Sequence, residues 1–204
     1  MTSLHAALIV VDVQRDFCPG GALAVEDGDR VVPGINRVVR AFDRRGLQVF
    51  FTRDWHPPDH ISFKKRGGPW PAHCVQGTPG AEFHPSLRVP PGAVIISKGD
   101  DPDREAYSGF QGTDLESRLK ALGVKEVFIA GLTTDYCVKE SASDARRAGF
   151  EVEVIEDCVR AVDARPGDGR RALSSMLKAG AKMTTAAAVL RLMASTQQSH
   201  HIGE

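Results

Sequence analysis

The sequence carries no excess charge of either sign: 26 Lys and Arg face 26 Asp and Glu over 204 residues, for a formal net charge of zero. That balance argues against a nucleic-acid binder, whose footprint is a basic surplus or stripe. Long apolar runs are missing as well. The longest, Ala6–Val11, is strand-sized, whereas a membrane helix needs roughly 20 residues. Residues Met1–His5 lack the charged-then-apolar pattern of a secretory signal. Cysteine is sparse: Cys18, Cys74, Cys137 and Cys158 stand far apart without a C-x-x-C pair. A disulfide framework is therefore not expected, and a reducing cytoplasmic setting is. A dinucleotide-binding turn is absent too, since Asp12-Val13-Gln14-Arg15 follows the first apolar run where G-x-G-x-x-G would stand. No repeat, low-complexity tract or linker divides the chain. One domain over 1–204 is expected, with 196–204 as a polar, flexible tail.

What is present is alternation. Ala6–Val11 reads as a strand buried on both faces. Val31, Val32, Ile35, Val38, Val39 and Phe42 form a helical stripe that ends at Gly46. Further strands are expected at 47–51, 93–97, 126–132, 152–155 and 182–185. Helices are expected around 115–122, 135–148, 170–179 and 189–193. Strands alternating with helices imply βαβ units, hence an α/β fold: a parallel six-stranded sheet with helices on both faces, Rossmann-like in plan. Two stretches break the rhythm, 53–89 with six prolines and 99–112. Loops this long inside a compact domain usually carry function.

Reactive side chains cluster at the expected strand ends. Asp12 follows the first strand, Asp54 the second, Lys98 the third, and Cys137 lies just past the fourth. In a parallel sheet these positions share the carboxyl edge, where open α/β sheets bind ligands. Cys137 falls in the first turn of the helix after its strand. Free amide N–H groups and the dipole there favour a thiolate and lower its pKa toward neutrality. The same amides suit an oxyanion. Asp12, half-buried after an apolar run, needs a partner, and Lys98 is a candidate. Each residue also has a plainer reading: a small buried thiol, a turn-capping carboxylate, a solvated lysine.

Asp54, His56, His60 and His73 lie within a 20-residue window (54–73). In extended chain Asp54 and His56 point the same way, so both can reach one ion. Imidazole with carboxylate suits zinc or iron rather than calcium or magnesium. Ordinary loop histidines are the alternative. His5, His84, His200 and His201 are read as ordinary.

Taken together, several segments resemble the nicotinamidase/pyrazinamidase family within the isochorismatase-like cysteine hydrolases. They are Asp12-Val13-Gln14-Arg15-Asp16-Phe17 with Pro19-Gly20-Gly21, and Thr52-Arg53-Asp54-Trp55-His56. Next come Trp70-Pro71-Ala72-His73-Cys74-Val75 with Gly77-Thr78-Pro79-Gly80-Ala81, Lys98-Gly99, Tyr107-Ser108-Gly109-Phe110, and Gly131-Leu132-Thr133-Thr134-Asp135-Tyr136-Cys137-Val138. The resemblance runs from about residue 6 to residue 190, and it implies an isochorismatase-type fold. It implies a catalytic triad of Asp12, Lys98 and Cys137, and one divalent ion (zinc or iron, manganese also being suitable) on Asp54, His56, His60 and His73. It further implies a cis peptide between Leu132 and Thr133, and an oxyanion hole from the N–H groups of Thr133 and Cys137. Phe17, Trp70, Tyr107 and Tyr136 would wall the ring pocket. Thr133, where alanine is common, and Tyr136, at a variable position, are departures at which substrate choice is tuned.

The activity so implied is hydrolysis of nicotinamide, and also of pyrazinamide, through a cysteine thioester with the ring held by the metal, a step of NAD salvage. Another amidase or isochorismatase-type hydrolase of the same superfamily is the rival, and a non-catalytic binding protein on the same fold a more distant one. The expected partner is a small molecule, with no nucleic acid and no membrane. A homo-oligomer is compatible with the pattern.

Overall fold

A computed structural model of the chain describes residues 5–195. The expected flexible tail at 196–204 lies outside the described residues. Six strands form one all-parallel sheet in the order β3-β2-β1-β4-β5-β6. They are β1 Ala6–Val11, β2 Val49–Asp54, β3 Val94–Lys98, β4 Glu126–Leu132, β5 Glu151–Arg160 and β6 Lys182–Thr184. The helices are α1 Val32–Arg44, α2 Leu115–Ala121, α3 Lys139–Arg147, α4 Asp168–Lys178 and α5 Ala186–Ser195.

β1 is central and every residue of it is buried, which is why its sequence is continuously apolar rather than alternating. Its side chains divide between two cores. Leu8 and Val10 face α1 and α5 with Phe42, Val39 and Val189. Ala7, Ile9 and Val11 face α2, α3 and α4 with Leu119, Ala145 and Met176. α1 presents Val32, Ile35, Val38, Val39 and Phe42 to the sheet, the spacing that puts one helical face on a core. The strand order reverses direction between β1 and β4. That switch point leaves a crevice beyond the carboxyl ends of the two strands.

Four elements differ in their bounds from the sequence expectation. β2 and β3 begin later and run on to Asp54 and Lys98, which are register partners at the ends of their strands. β5 extends to Arg160 through polar Glu156 and Asp157, because Cys158 and Val159 return to the core after an irregularity opposite Ile129–Gly131. The helix expected from Asp135 opens with one wide π-type turn, Thr134–Val138, before α3. No helix among the described residues is long and apolar enough to cross a membrane.

Candidate active site and metal centre

At the switch point β1 and β4 approach closely. Gly131 has φ +124°, and a β-carbon there would lie 2.7 Å from the Val11 nitrogen and nearer still to its carbonyl. One residue beyond Val11 the chain turns through left-handed Asp12 (φ 48°). One residue beyond Gly131 comes Leu132, joined to Thr133 by a cis peptide. The turn that follows carries Cys137. The base and the thiol therefore leave adjacent strands at the same level.

Asp12 is wholly buried, and its Oδ1 accepts a hydrogen bond from the Thr52 hydroxyl at 2.5 Å. Its Oδ2 lies 2.9 Å from the Lys98 ammonium, its buried ion-pair partner. Lys98, also buried, donates to Asp54 Oδ1 and, at 3.2 Å, to the Ala106 carbonyl. Its Nζ stands 3.5 Å from Cys137 Sγ. One buried cation thus touches two carboxylates and the thiol.

Burial would lower the Lys98 pKa, but Asp12, Asp54 and Cys137 overcome it and hold the ammonium charged, well above the usual lysine range. Burial would raise Asp54, and here Lys98, His56 and His73 prevail and keep it ionised below the usual carboxylate range. At Asp12 burial prevails over Lys98, so its pKa is raised. Cys137 corrects a sequence expectation. Its thiol is pushed well up rather than toward neutrality, because burial outweighs Lys98 and the carboxylates add to burial. At full burial desolvation prevails over the helix-end dipole invoked from sequence.

Asp54, His56 and His73 bring one donor atom each to within 4.8 Å of one another. His56 donates its Nδ1–H to the Gly99 carbonyl at 2.8 Å. His73 gives its Nδ1–H to the Pro71 carbonyl at 2.8 Å. Each ring thereby turns Nε2 toward Asp54 Oδ2, at 3.6 and 4.0 Å, and in its neutral form presents there the bare nitrogen that a metal ligand needs. The donor set therefore fits a divalent ion. Gly99 has φ +65°, and a β-carbon there would press on the His56 ring at 2.5–2.7 Å. Only glycine permits that second-layer bond.

His60, the fourth residue of the expected set, lies beside the trio with both ring nitrogens bonded elsewhere. It stacks on His56 at 4.2 Å, but its Nδ1 accepts from Ser62 and its Nε2 donates to the Arg104 carbonyl at 3.0 Å. Spacing brings His60 beside the trio without turning a free nitrogen toward it.

Above Cys137 lies a narrow cavity lined by Phe17, Leu23, Trp70, Tyr107, Tyr136 and Val162 together with Asp54, His73, Thr133 and Cys137. All four aromatic residues expected to wall a ring are present. The Trp70 indole N–H donates to the Tyr107 hydroxyl at 3.0 Å, and Tyr136 stands edge-on to Trp70 at 5.0 Å. Burial pushes the Tyr107 phenol up to about 12, so it stays neutral. Cys74, whose purpose the sequence left open, acts through its backbone. It is left-handed (φ 46°), its N–H donates to Asp16, and its carbonyl accepts from the His56 N–H.

Sequence reasoning missed Gln14, Thr52, Leu23, Val162 and Asp135. Gln14 is fully buried; its Oε1 accepts the Asp54 N–H, and its Nε2 donates to the carbonyls of Asp54 and Ala81, all at 2.8–2.9 Å. The signal was available: a polar side chain two residues after Asp12, on the same side of extended chain. Asp135 accepts the N–H groups of Val162 and Asp163 at 3.0 and 2.9 Å, bringing the loop after β5 over the cavity.

The isochorismatase-domain family model matches residues 6–188. Over 202 residues the chain is 39% identical to the nicotinamidase of Escherichia coli, covering 89% of this chain and 95% of that one. The pyrazinamidase of Pyrococcus horikoshii, solved in complex with zinc, superposes with a TM-score of 0.85 at 53% identity, covering 89% of this chain and 99% of that one. PnC1 from L. infantum, solved in complex with nicotinate, gives a TM-score of 0.83 at 35% identity, covering 92% and 96%.

Proposed function

The chain belongs to the isochorismatase family, and from that premise we propose that it is a metal-dependent cysteine amidohydrolase converting nicotinamide to nicotinic acid and ammonia. The observation that carries this reading is the convergence of Asp12, Lys98 and Cys137 beside an aromatic-walled cavity whose lining includes Asp54 and His73, with His56 next to both.

The buried thiol is neutral at rest and needs a base. Asp12 lies within 4.8 Å of it, and its raised pKa makes it a stronger base than a surface carboxylate. Asp12 takes the thiol proton, and the adjacent Lys98 ammonium stabilises the thiolate as it forms. Cys137 Sγ bonds to the carboxamide carbon while the backbone N–H groups of Thr133 and Cys137 receive the developing oxyanion, each such donor contributing on the order of 3 kcal/mol. Asp12 returns its proton to the nitrogen, the C–N bond breaks, and ammonia leaves a thioester. Water, deprotonated by Asp12, then displaces the sulfur and releases the acid. Phe17, Trp70, Tyr107 and Tyr136 hold the ring in the attacking geometry. A divalent ion on Asp54, His56 and His73, zinc or iron with manganese also suited to these donors, would supply a Lewis-acidic anchor for the ring nitrogen.

The test is ammonia release from nicotinamide by the purified chain, with a Cys137→Ala control and a chelator-stripped, zinc-restored sample. Turnover that vanishes in the variant, and vanishes then returns with zinc, is expected. Pyrazinamide should turn over as well. Failure of the zinc-replete protein to release ammonia would overturn the reading.

A further inference from the structure

Among the described residues only three buried side-chain nitrogen or oxygen atoms lack a hydrogen-bond partner: Asp12 Oδ2, Thr133 Oγ1 and Arg146 Nε. Two of the three belong to the site. Thr133 is 3% exposed, and it lines the cavity above Cys137. A buried hydroxyl left without a partner costs free energy unless something else bonds it. A primary carboxamide presents one acceptor oxygen and two N–H donors. On the proposed mechanism its oxygen is taken by backbone N–H groups, so its two N–H groups need two acceptors. The site offers one acceptor that no protein group uses, the Thr133 hydroxyl, since Asp12 Oδ2 already faces the Lys98 ammonium at 2.9 Å.

We propose that the Thr133 hydroxyl is a specificity-determining group that accepts one carboxamide N–H. This rests on the amidase reading above and deepens it: the orphaned hydroxyl makes the site selective for an unsubstituted amide over an ester of the same acid, which has no N–H to offer. The backbone role of Thr133 in the oxyanion hole is separate, since every residue supplies that N–H. Threonine sits comfortably there, with extended backbone (φ −104°, ψ 148°) that β-branched side chains favour. Valine therefore removes the hydroxyl with the same shape.

The experiment measures kcat/KM for nicotinamide and for methyl nicotinate in wild type, Thr133→Val, Thr133→Ala and Thr133→Ser. The amide-to-ester ratio is expected to fall about tenfold in the valine and alanine variants, as for loss of one buried hydrogen bond, and to recover in serine. A merely structural hydroxyl, or one that serves the oxyanion, would move both substrates together. A ratio that stays constant across the series overturns the assignment while leaving the amidase reading intact, provided wild type releases ammonia and Cys137→Ala does not. A wild type inactive on both substrates overturns the two together.

Discussion

On one side of the β1–β4 seam, Asp54, His56 and His73 sit at the end of a strand and on irregular backbone beyond it. On the other, Cys137 sits on a single wide turn that runs straight into α3. The two sides hold their residues by different means. The irregular side is pinned by polar side chains bonded to backbone: Gln14 to Asp54 and Ala81, Asp16 to Cys74, and Gln76 to the Trp55 carbonyl. The regular side is held by small apolar residues, Val138, Ala142 and Ala145, packed on the sheet. Where a chain has no repeating hydrogen-bond ladder, buried side-chain amides and carboxylates must satisfy its main chain one group at a time. The irregular side is thus sensitive to loss of polar atoms and the regular side to changes of volume.

Four measurements put that contrast at risk. The largest effect is chemical: Cys137→Ala should lower kcat for ammonia release by at least about ten-thousandfold, with a thermal midpoint close to wild type because the turn is held by its neighbours. A large fall in the midpoint would show that the thiol also supports the regular side. Next, Gln14→Met removes three buried hydrogen bonds at nearly constant volume. Urea unfolding should show a loss of about 3 kcal/mol, and competition with a chromophoric chelator should show zinc affinity down roughly 10- to 100-fold. Third, Ala145→Leu overfills the seat of α3 and should cost about 2 kcal/mol while zinc affinity holds. Equal loss of zinc binding in this variant would dissolve the distinction.

The smallest effect concerns Glu126 at the start of β4. Burial raises its pKa and Glu153 adds to the rise, with Lys182 opposing. A carboxyl whose folded pKa is raised contributes its full stability below its unfolded pKa and loses it as pH climbs through the folded value. The ionised form at neutral pH is therefore a small burden. Glu126→Gln should stabilise the protein at pH 7 by roughly half a kcal/mol or less, the group being partly solvated. That gain should disappear in acid, as followed by melts across pH.

Much of this was legible in the residues. β1, β4 and the α1 stripe were read closely, because continuous apolar runs and a 3–4 spacing are local consequences of being buried. The ends of β2 and β3 were not, since Thr52-Arg53-Asp54 and Ser97-Lys98 are polar and remain in the sheet only because they pair with each other. Asp12, Lys98 and Cys137 could be brought together from topology, and Asp54, His56 and His73 from their spacing in one short window. The placement of His60 could not, because spacing says nothing of which way a ring nitrogen turns. The direction of the Cys137 shift was missed for a related reason: the turn that supplies the dipole is visible in sequence, the depth at which it lies is not. Leu23 and Val162 are ordinary apolar residues that only the folded loops carry to the cavity.

Gly131 has one further consequence. The spacing between the base and the nucleophile is set there by a missing atom, the β-carbon for which the Val11 backbone leaves no room. A side chain at that position would act as a wedge, driving β1 from β4 and parting Asp12 from the turn that carries Cys137. In a library randomised at this codon the active survivors should therefore encode glycine alone, since even alanine adds the forbidden atom. The position would look inert in any survey of side-chain chemistry, yet it would tolerate no replacement at all.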